Sequence, residues 1–321
     1  MYASDPAPLS SERTVVEPRS PTDRSPDPLV DAVGSTPLVP LFRLGSRPDL
    51  RGELWGKAEY LNPSGSVKDR AAWGIVRTAL DDGRLGPGRT LVDASSGNTG
   101  VAFAFLGARL GFPVELYVPR TVAPERLARM RAFGARVVLT DPSDGTDGAQ
   151  LAAQARARES PERLFYADQY NNPANPRAHY ETTGPELWAQ SRGRITHLVA
   201  GVGTGGTISG AGRFLKERRP SIRIVGVEPT GPIHGLEGLK HLPTARRPST
   251  YDEEVVDETI RIETDDALSI AHRLAVEEGV AAGPSSGAAV AGALRLRTRD
   301  PRTFIVAILP DEARPRSEGD R

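Results

Sequence analysis

The residues of this chain best suited to chemistry lie in four short segments rich in Gly, Ser, Thr and Asn. The first, "NPSGSVKDR" (Asn62–Arg70), carries Lys68, one of only four lysines among 41 Lys+Arg. At a helix start, partial positive charge disfavours the protonated amine, and such a lysine can form a Schiff base with a carbonyl. Taken alone, the stretch reads more readily as a solvated lysine. The second, "SSGNTG" (Ser95–Gly100), offers hydroxyls, an amide and successive backbone N–H groups, a grip for a carboxylate. It would serve equally as a helix N-cap. The third, "GVGTGGT" (Gly201–Thr207), lets backbone approach an anion at a helix N-terminus, as a phosphate cradle does. Gly201, Gly203 and Gly206 also fit G-x-G-x-x-G with Glu228 ending the next strand, so a nicotinamide-dependent (NAD-binding) oxidoreductase is a rival. Thr204 and Thr207 suit a terminal phosphomonoester, which takes more donors than a bridging pyrophosphate. The fourth, "GPSSG" (Gly283–Gly287), sets Ser285 in a G-x-S-x-G pattern. A hydrolase of that class needs its histidine after the serine, and the last histidine here is His272.

These segments need a scaffold that presents loops together. Short β-rich runs ("ELWGKAEY", "TLVDA", "VELYVP", "RVVLT", "THLVAG", "RIVGVE", "TFIVAIL") alternate with amphipathic helical ones, several of which end in glycine. That alternation predicts an α/β fold with a mostly parallel sheet and helices on both faces. Ligands of such sheets collect where strand carboxyl ends lead into helices, and each of the four segments follows that plan. The Pro/Asn-rich "DQYNNPANPR" (Asp168–Arg177) is the strongest mid-chain break and a crossover point between two α/β domains. Residues 1–28 and the last residues are dense in Pro, Ser and charge, the composition of a disordered leader and tail.

Composition narrows the function classes. A formal net charge of zero argues against a nucleic-acid or membrane-surface footprint. No apolar run approaches the roughly 20 residues of a membrane-spanning helix. The absence of cysteine excludes disulfides and thiolate metal sites, and the expected compartment is the cytoplasm. His179, His197, His234 and His241 show no metal-ligand spacing, so no metal is expected.

A reactive lysine, a carboxylate grip, a phosphate cradle and a serine at a helix start together suit pyridoxal 5′-phosphate, whose aldehyde, phosphate and ring nitrogen need such partners. The ordered set "GSTPLVPL", "NPSGSVKDR", "SSGNTG", "NPANPRAHYETTGPELW", "GVGTGGTISG" and "GPSSGAAVA" resembles the cysteine synthase/cystathionine β-synthase family of fold type II pyridoxal-phosphate enzymes. The resemblance spans about residues 30 to 310 and is closest to bacterial cysteine synthases. It implies two open, mostly parallel, twisted-sheet α/β domains, residues 29–167 and 168–312, around a cofactor cleft, in a homodimer. It implies that Lys68 is the Schiff-base lysine and that Asn98 bonds the cofactor's ring hydroxyl. Ser95, Ser96, Asn98, Thr99 and Gln169 would hold the substrate carboxylate. Gly203, Thr204, Gly205, Gly206 and Thr207 would form the phosphate loop, and Ser285 would face the ring nitrogen. A hydroxyl there, unlike a carboxylate, would not enforce a protonated nitrogen, and the weaker electron sink suits β-elimination and replacement.

The implied reaction is β-replacement on an activated L-serine through an α-aminoacrylate intermediate. The substrates would be O-acetylserine or O-phosphoserine with sulfide, giving L-cysteine. Homocysteine, giving cystathionine, or an amine in specialised biosynthesis are alternative nucleophiles, and a non-catalytic homologue that binds a partner is a third reading. Ser95 stands where the family usually has threonine, and "ILPDEARPRSEGDR" departs from the family's C-terminal pattern, which leaves substrate preference open. Thr230–Glu253 falls where the family faces the substrate side chain. Its cations Lys240, Arg246 and Arg247 read more readily as solvated charge than as a phosphate-recognising group.

Overall fold

The computed structural model describes residues 27–44, 52–296 and 300–313. The expected leader and tail therefore fall almost wholly outside the described residues. Among the described residues ten strands form: β1 (Leu38–Pro40), β2 (Glu53–Ala58), β3 (Thr90–Ala94), β4 (Val114–Pro119), β5 (Arg136–Thr140), β6 (Leu164–Tyr166), β7 (His197–Gly201), β8 (Arg223–Pro229), β9 (Glu258–Ile262) and β10 (Phe304–Leu309). They make two sheets, one ordered β1-β2-β10-β7-β8-β9 and one ordered β5-β4-β3-β6. Every pairing is parallel except β1 with β2.

Strand side chains alternate between two covered faces, as a doubly wound sheet requires. On β10, Ile305 and Ala307 pack with the helices Thr264–Glu278 and Pro284–Arg295, while Val306 and Ile308 pack on the other side with the helix Gly206–Arg218. On β3, Leu91 meets the helices Lys68–Asp81 and Asn98–Leu110, and Val92 meets the helix Gly145–Glu159. Helices thus cover both faces of both sheets.

The division of the chain differs from the expected boundary at 168. β1 and β2 precede the smaller sheet in sequence yet belong to the larger one, where β2 pairs with β10 from Phe304↔Glu53 to Leu309↔Ala58. The N-terminal strands thus complete the C-terminal unit, and the chain then crosses to the smaller sheet. The break at Asp168–Arg177 holds a turn at Asp168, whose φ is +49°, but ends in a helix from Ala174. That helix continues through a π-turn, His179–Thr183, into Gly184–Gln190.

Parallel pairing matters to function because it aligns carboxyl ends. In the larger sheet β2, β7, β8 and β10 emit their following loops from one edge, and in the smaller one β3 and β6 do the same. These loops carry Lys68, the Gly201–Thr207 segment, the Thr230 segment, Asp311, Ser95 and Gln169.

Candidate active site

A cleft of about 370 Å³ lies where the loops from the two sheets meet. Lys68, Ser95, Ser96, Asn98, Thr99, Gln169, Gly203, Thr204, Gly205, Thr207 and Ser285 all line it. Gly206, alone of the site residues the resemblance implies, does not reach the cleft surface; it opens the helix Gly206–Arg218 directly behind it. Glu228, the acidic residue of the dinucleotide pattern, lies elsewhere. It is buried beside Leu242 and Tyr251 outside this cleft, with one oxygen lacking a hydrogen-bond partner among the described residues.

Lys68 is the first residue of its helix, and the chain leading to it is held tightly. Val67 N–H donates to Pro310 O at 2.8 Å, and Ser66 pairs with Asp311 in an isolated antiparallel bridge. Asp69 accepts from Ser64 N–H at 2.6 Å and from the Ser64 hydroxyl. Burial raises the Asp69 carboxyl to about 6, against the pull of those hydrogen bonds. Desolvation lowers the proton affinity of the Lys68 amine, and the Asp311 carboxylate partly opposes this. A neutral amine is the form that attacks a carbonyl or takes a proton.

Two residues on, Arg70 anchors a buried ionic network. It bonds Glu59 at 2.7 and 2.8 Å and Glu186 at 2.7 Å through two nitrogens, while Lys57 reaches Glu186 at 2.6 Å. Lys57, Glu59 and Arg70 are each 2% exposed or less, so every charge there depends on its partner. The network ties β2 and the start of the Lys68 helix to the helix Gly184–Gln190.

The Ser95–Asn98 loop follows β3. Ser95 Oγ accepts from Gly100 N–H at 2.9 Å, which leaves the hydroxyl proton free to donate into the cleft. Thr99 donates to Gln169 Oε1 at 2.6 Å, and Gln169 Nε2 donates to Asp93 Oδ2 at 3.3 Å. The amide of Gln169 is thereby oriented from both ends. Burial raises the Asp93 carboxyl to about 8.

The loop after β7 carries no side chain beyond threonine across Gly203–Thr207. Gly205 takes φ +83° at the N-cap, a left-handed conformation that disfavours other residues. A Cβ at Gly203 would run into Gly238 O, and one at Gly206 into the Asn175 amide. Thr207 Oγ1 sits 3.2 Å from His179 Nε2, and His179 Nδ1 sits 2.9 Å from Thr183 Oγ1. Burial first, then the positive charge of Arg70, lowers His179 to about 3 and keeps the ring neutral. Glycine-rich backbone, helix N–H groups and two hydroxyls suit a phosphomonoester, and with a desolvated amine of lowered proton affinity in the same cleft the residues fit pyridoxal phosphate.

Sequence reasoning passed over several cleft residues. Arg126, from the helix Pro124–Ala132, donates to Ser96 O at 3.3 Å and pairs with Glu237. Lys240, read from sequence as solvated charge, is half-buried on the cleft wall, its ammonium 5.0 Å from the centre of the Tyr170 ring. Arg247 instead pairs outside the cleft with Glu253. Asp311 accepts from Ser285 Oγ at 2.8 Å and from Asn98 Nδ2 at 3.0 Å. Its place two residues past β10, at a strand carboxyl end, was the available signal.

The model of one family, described as pyridoxal-phosphate dependent enzyme, matches residues 29–311. The chain is 45% identical over 296 residues to a cysteine synthase of Aquifex aeolicus, covering 91% of this chain and 90% of that one. The solved cysteine synthase of Entamoeba histolytica superposes with a TM-score of 0.85 at 36% identity, over 92% of this chain and 90% of its own. A solved O-ureido-L-serine synthase superposes with a TM-score of 0.83 at 37% identity, over 88% and 91%.

Proposed function

Because the chain belongs to the pyridoxal-phosphate dependent enzyme family, we propose that it is a cysteine synthase, joining sulfide to the β-carbon of O-acetyl-L-serine or O-phospho-L-serine. The observation that carries this reading is the cleft itself: a desolvated Lys68 amine, a carboxylate grip and a phosphate cradle on one surface. Likeness to cysteine synthases along nine-tenths of the chain sets the substrate class.

Bound pyridoxal phosphate supplies a carbonyl for Lys68 and an electron sink that labilises the α-proton and the β-leaving group of an amino acid. Gly203, Thr204, Gly205, Gly206 and Thr207 would hold its phosphate, Asn98 would bond its ring hydroxyl, and Ser285 would partner its ring nitrogen. Ser95, Ser96, Asn98, Thr99 and Gln169 bind the substrate carboxylate, with the Ser95 proton free for that bond because its oxygen is already capping the helix. Lys68 Nζ would be the base for the α-proton, a task desolvation assists by disfavouring the protonated amine. The Ser95–Asn98 loop and the Glu237–Lys240 segment exclude water around the reacting carbon. The homodimer implied by the resemblance and the cytoplasmic location expected from composition belong to the same proposal.

A second reading keeps the donor and changes the nucleophile, and similarity to an O-ureido-L-serine synthase favours keeping it in view. The test is product analysis across a matrix of O-acetylserine and O-phosphoserine with sulfide, homocysteine and hydroxylated or simple amines. Fastest turnover with sulfide supports cysteine synthesis. A strong preference for another nucleophile replaces it with the second reading, and protein that binds NAD but no pyridoxal phosphate sinks both.

A further inference from the structure

His179 takes no part in the chemistry above, yet it stands directly behind a residue of the phosphate loop. It is 1% exposed and begins the π-turn His179–Thr183, between the helices Ala174–Ala178 and Gly184–Gln190. The helix Gly206–Arg218 crosses it so closely that a Cβ at Gly210 would lie 2.9 Å from that of His179. The ring therefore has a fixed place, and each of its nitrogens meets a threonine hydroxyl. Nε2 lies 3.2 Å from Thr207 Oγ1, and Nδ1 lies 2.9 Å from Thr183 Oγ1. Thr207 reaches the cleft surface, whereas Thr183 is 0% exposed.

Burial keeps the imidazole neutral, so it carries one N–H, on one of the two nitrogens. Thr183 decides which. Among the described residues its hydroxyl has no hydrogen-bond partner other than Nδ1. Were Nδ1 protonated, Thr183 would accept that proton and its own would be buried without an acceptor, at the full cost of desolvation. With Nδ1 bare, Thr183 donates to it and both groups are satisfied. The ring proton then sits on Nε2 and is donated to Thr207 Oγ1. Thr207 is left with its own hydroxyl proton to give elsewhere. We propose that His179 is a positioning residue, locked by Thr183 as the Nε2–H tautomer, that makes Thr207 a hydrogen-bond donor toward the phosphate of the cofactor. A phosphomonoester dianion offers only acceptor oxygens. The opposite tautomer would draw the Thr207 proton into the ring and turn oxygen lone pairs toward that anion. No proton is transferred and no bond is made; the polarity of one hydroxyl is set from behind the loop.

The inference rests on the pyridoxal-phosphate reading of the cleft and on Thr207 facing the phosphate, not on which nucleophile is used. The first test is nitrogen NMR of the full-length holoenzyme with 15N-labelled histidine. The chain has five histidines, and the signals missing from His179→Gln identify those of His179. Nδ1 should resonate as an unprotonated nitrogen and Nε2 as a protonated one. The second test is equilibrium binding of pyridoxal phosphate and of pyridoxal, which lacks the phosphate. His179→Leu should weaken pyridoxal phosphate about tenfold, the loss of one hydrogen bond to an anion, and leave pyridoxal unchanged. Adding Thr207→Val to His179→Leu should cost little more, because the two act through one hydroxyl. His179→Gln, whose amide keeps an N–H near Thr207, should restore most of the affinity, and it carries the comparison where His179→Leu does not fold. A protonated Nδ1 in the wild type, or equal losses of pyridoxal and its phosphate in His179→Leu, overturns the proposal while leaving the cofactor reading intact. A wild-type protein that binds neither compound overturns both.

Discussion

Arg126 and Glu237 form an ion pair across the mouth of the cleft, with the arginine side chain 8% exposed and the glutamate 62%. Arg126 also donates to Ser96 O, so one guanidinium ties the Ser95–Asn98 loop to the segment that follows β8. Arg126→Ala is expected to raise the KM for the serine donor about tenfold, the loss of one charge-assisted hydrogen bond, with cofactor affinity unchanged. Glu237→Gln should have a smaller effect because its carboxylate is largely in water. Steady-state kinetics with a parallel cofactor titration checks both, and an equal loss of cofactor from Arg126→Ala would show that the pair supports the whole site instead.

Lys68→Ala should abolish the visible band of the bound lysine adduct and lower kcat on the order of 10³–10⁴-fold, at the upper end of what a positioned proton acceptor contributes. Absorption spectra and turnover on the same preparation test this. Retained turnover with the band gone would assign the α-proton to another group.

Thr207→Val should weaken cofactor binding by about tenfold, since one hydroxyl donor to an anion is lost while the backbone cradle stays. His179→Gln, which can still bond Thr207, should weaken it less. Equilibrium dialysis against pyridoxal phosphate ranks the two.

His179 should also mark the pH dependence of stability. Its unfolded form takes a proton near 6.5, whereas burial holds the folded form near 3. Between those values the unfolded chain binds more protons, so the stability contributed by neutral His179 is complete above 6.5 and falls as pH is lowered. His179→Gln is expected to flatten the fall below about pH 6.5 by up to about 1.4 kcal/mol per pH unit. Urea unfolding at several pH values measures it, and parallel curves for wild type and variant would exclude His179 as the source.

Arg70→Ala strands the buried Glu59 carboxylate and leaves the half-buried Glu186 with Lys57 as its cation. A loss of about 3–5 kcal/mol is expected, as when one partner of a buried pair is removed. Arg70→Met together with Glu59→Leu should recover part of it, because the orphaned charge is removed with its partner. Chemical denaturation of the single and double variants gives the comparison.

Much of this molecule is legible in local pattern. β3, β4, β8 and β10 are visible as β-branched runs because each is buried on both faces of a parallel sheet, while the half-buried edge strand β5 shows as its own Val-Val-Leu run. Short strands escape the same reading. β1 and β6 have three residues each, too few for a period to register, and their pairing is decided by neighbours far along the chain. The helices from Ala174 to Gln190 were obscured by their prolines and asparagines, which tertiary packing accommodates at turn positions.

The site divides along the same line. Lys68, the Ser95–Thr99 grip, the Gly203–Thr207 loop and Ser285 announce themselves because their chemistry depends on glycine freedom, helix N-termini and residue type, which are local properties. What only the tertiary structure decided are relations between segments distant in sequence. β1 and β2 complete the C-terminal sheet, Arg126 meets Glu237, and Lys240 turns inward over Tyr170. Asp311 stands between Asn98 and Ser285. A charged side chain carries no local sign of its partner, since that depends on which strand carboxyl ends the sheet order brings together.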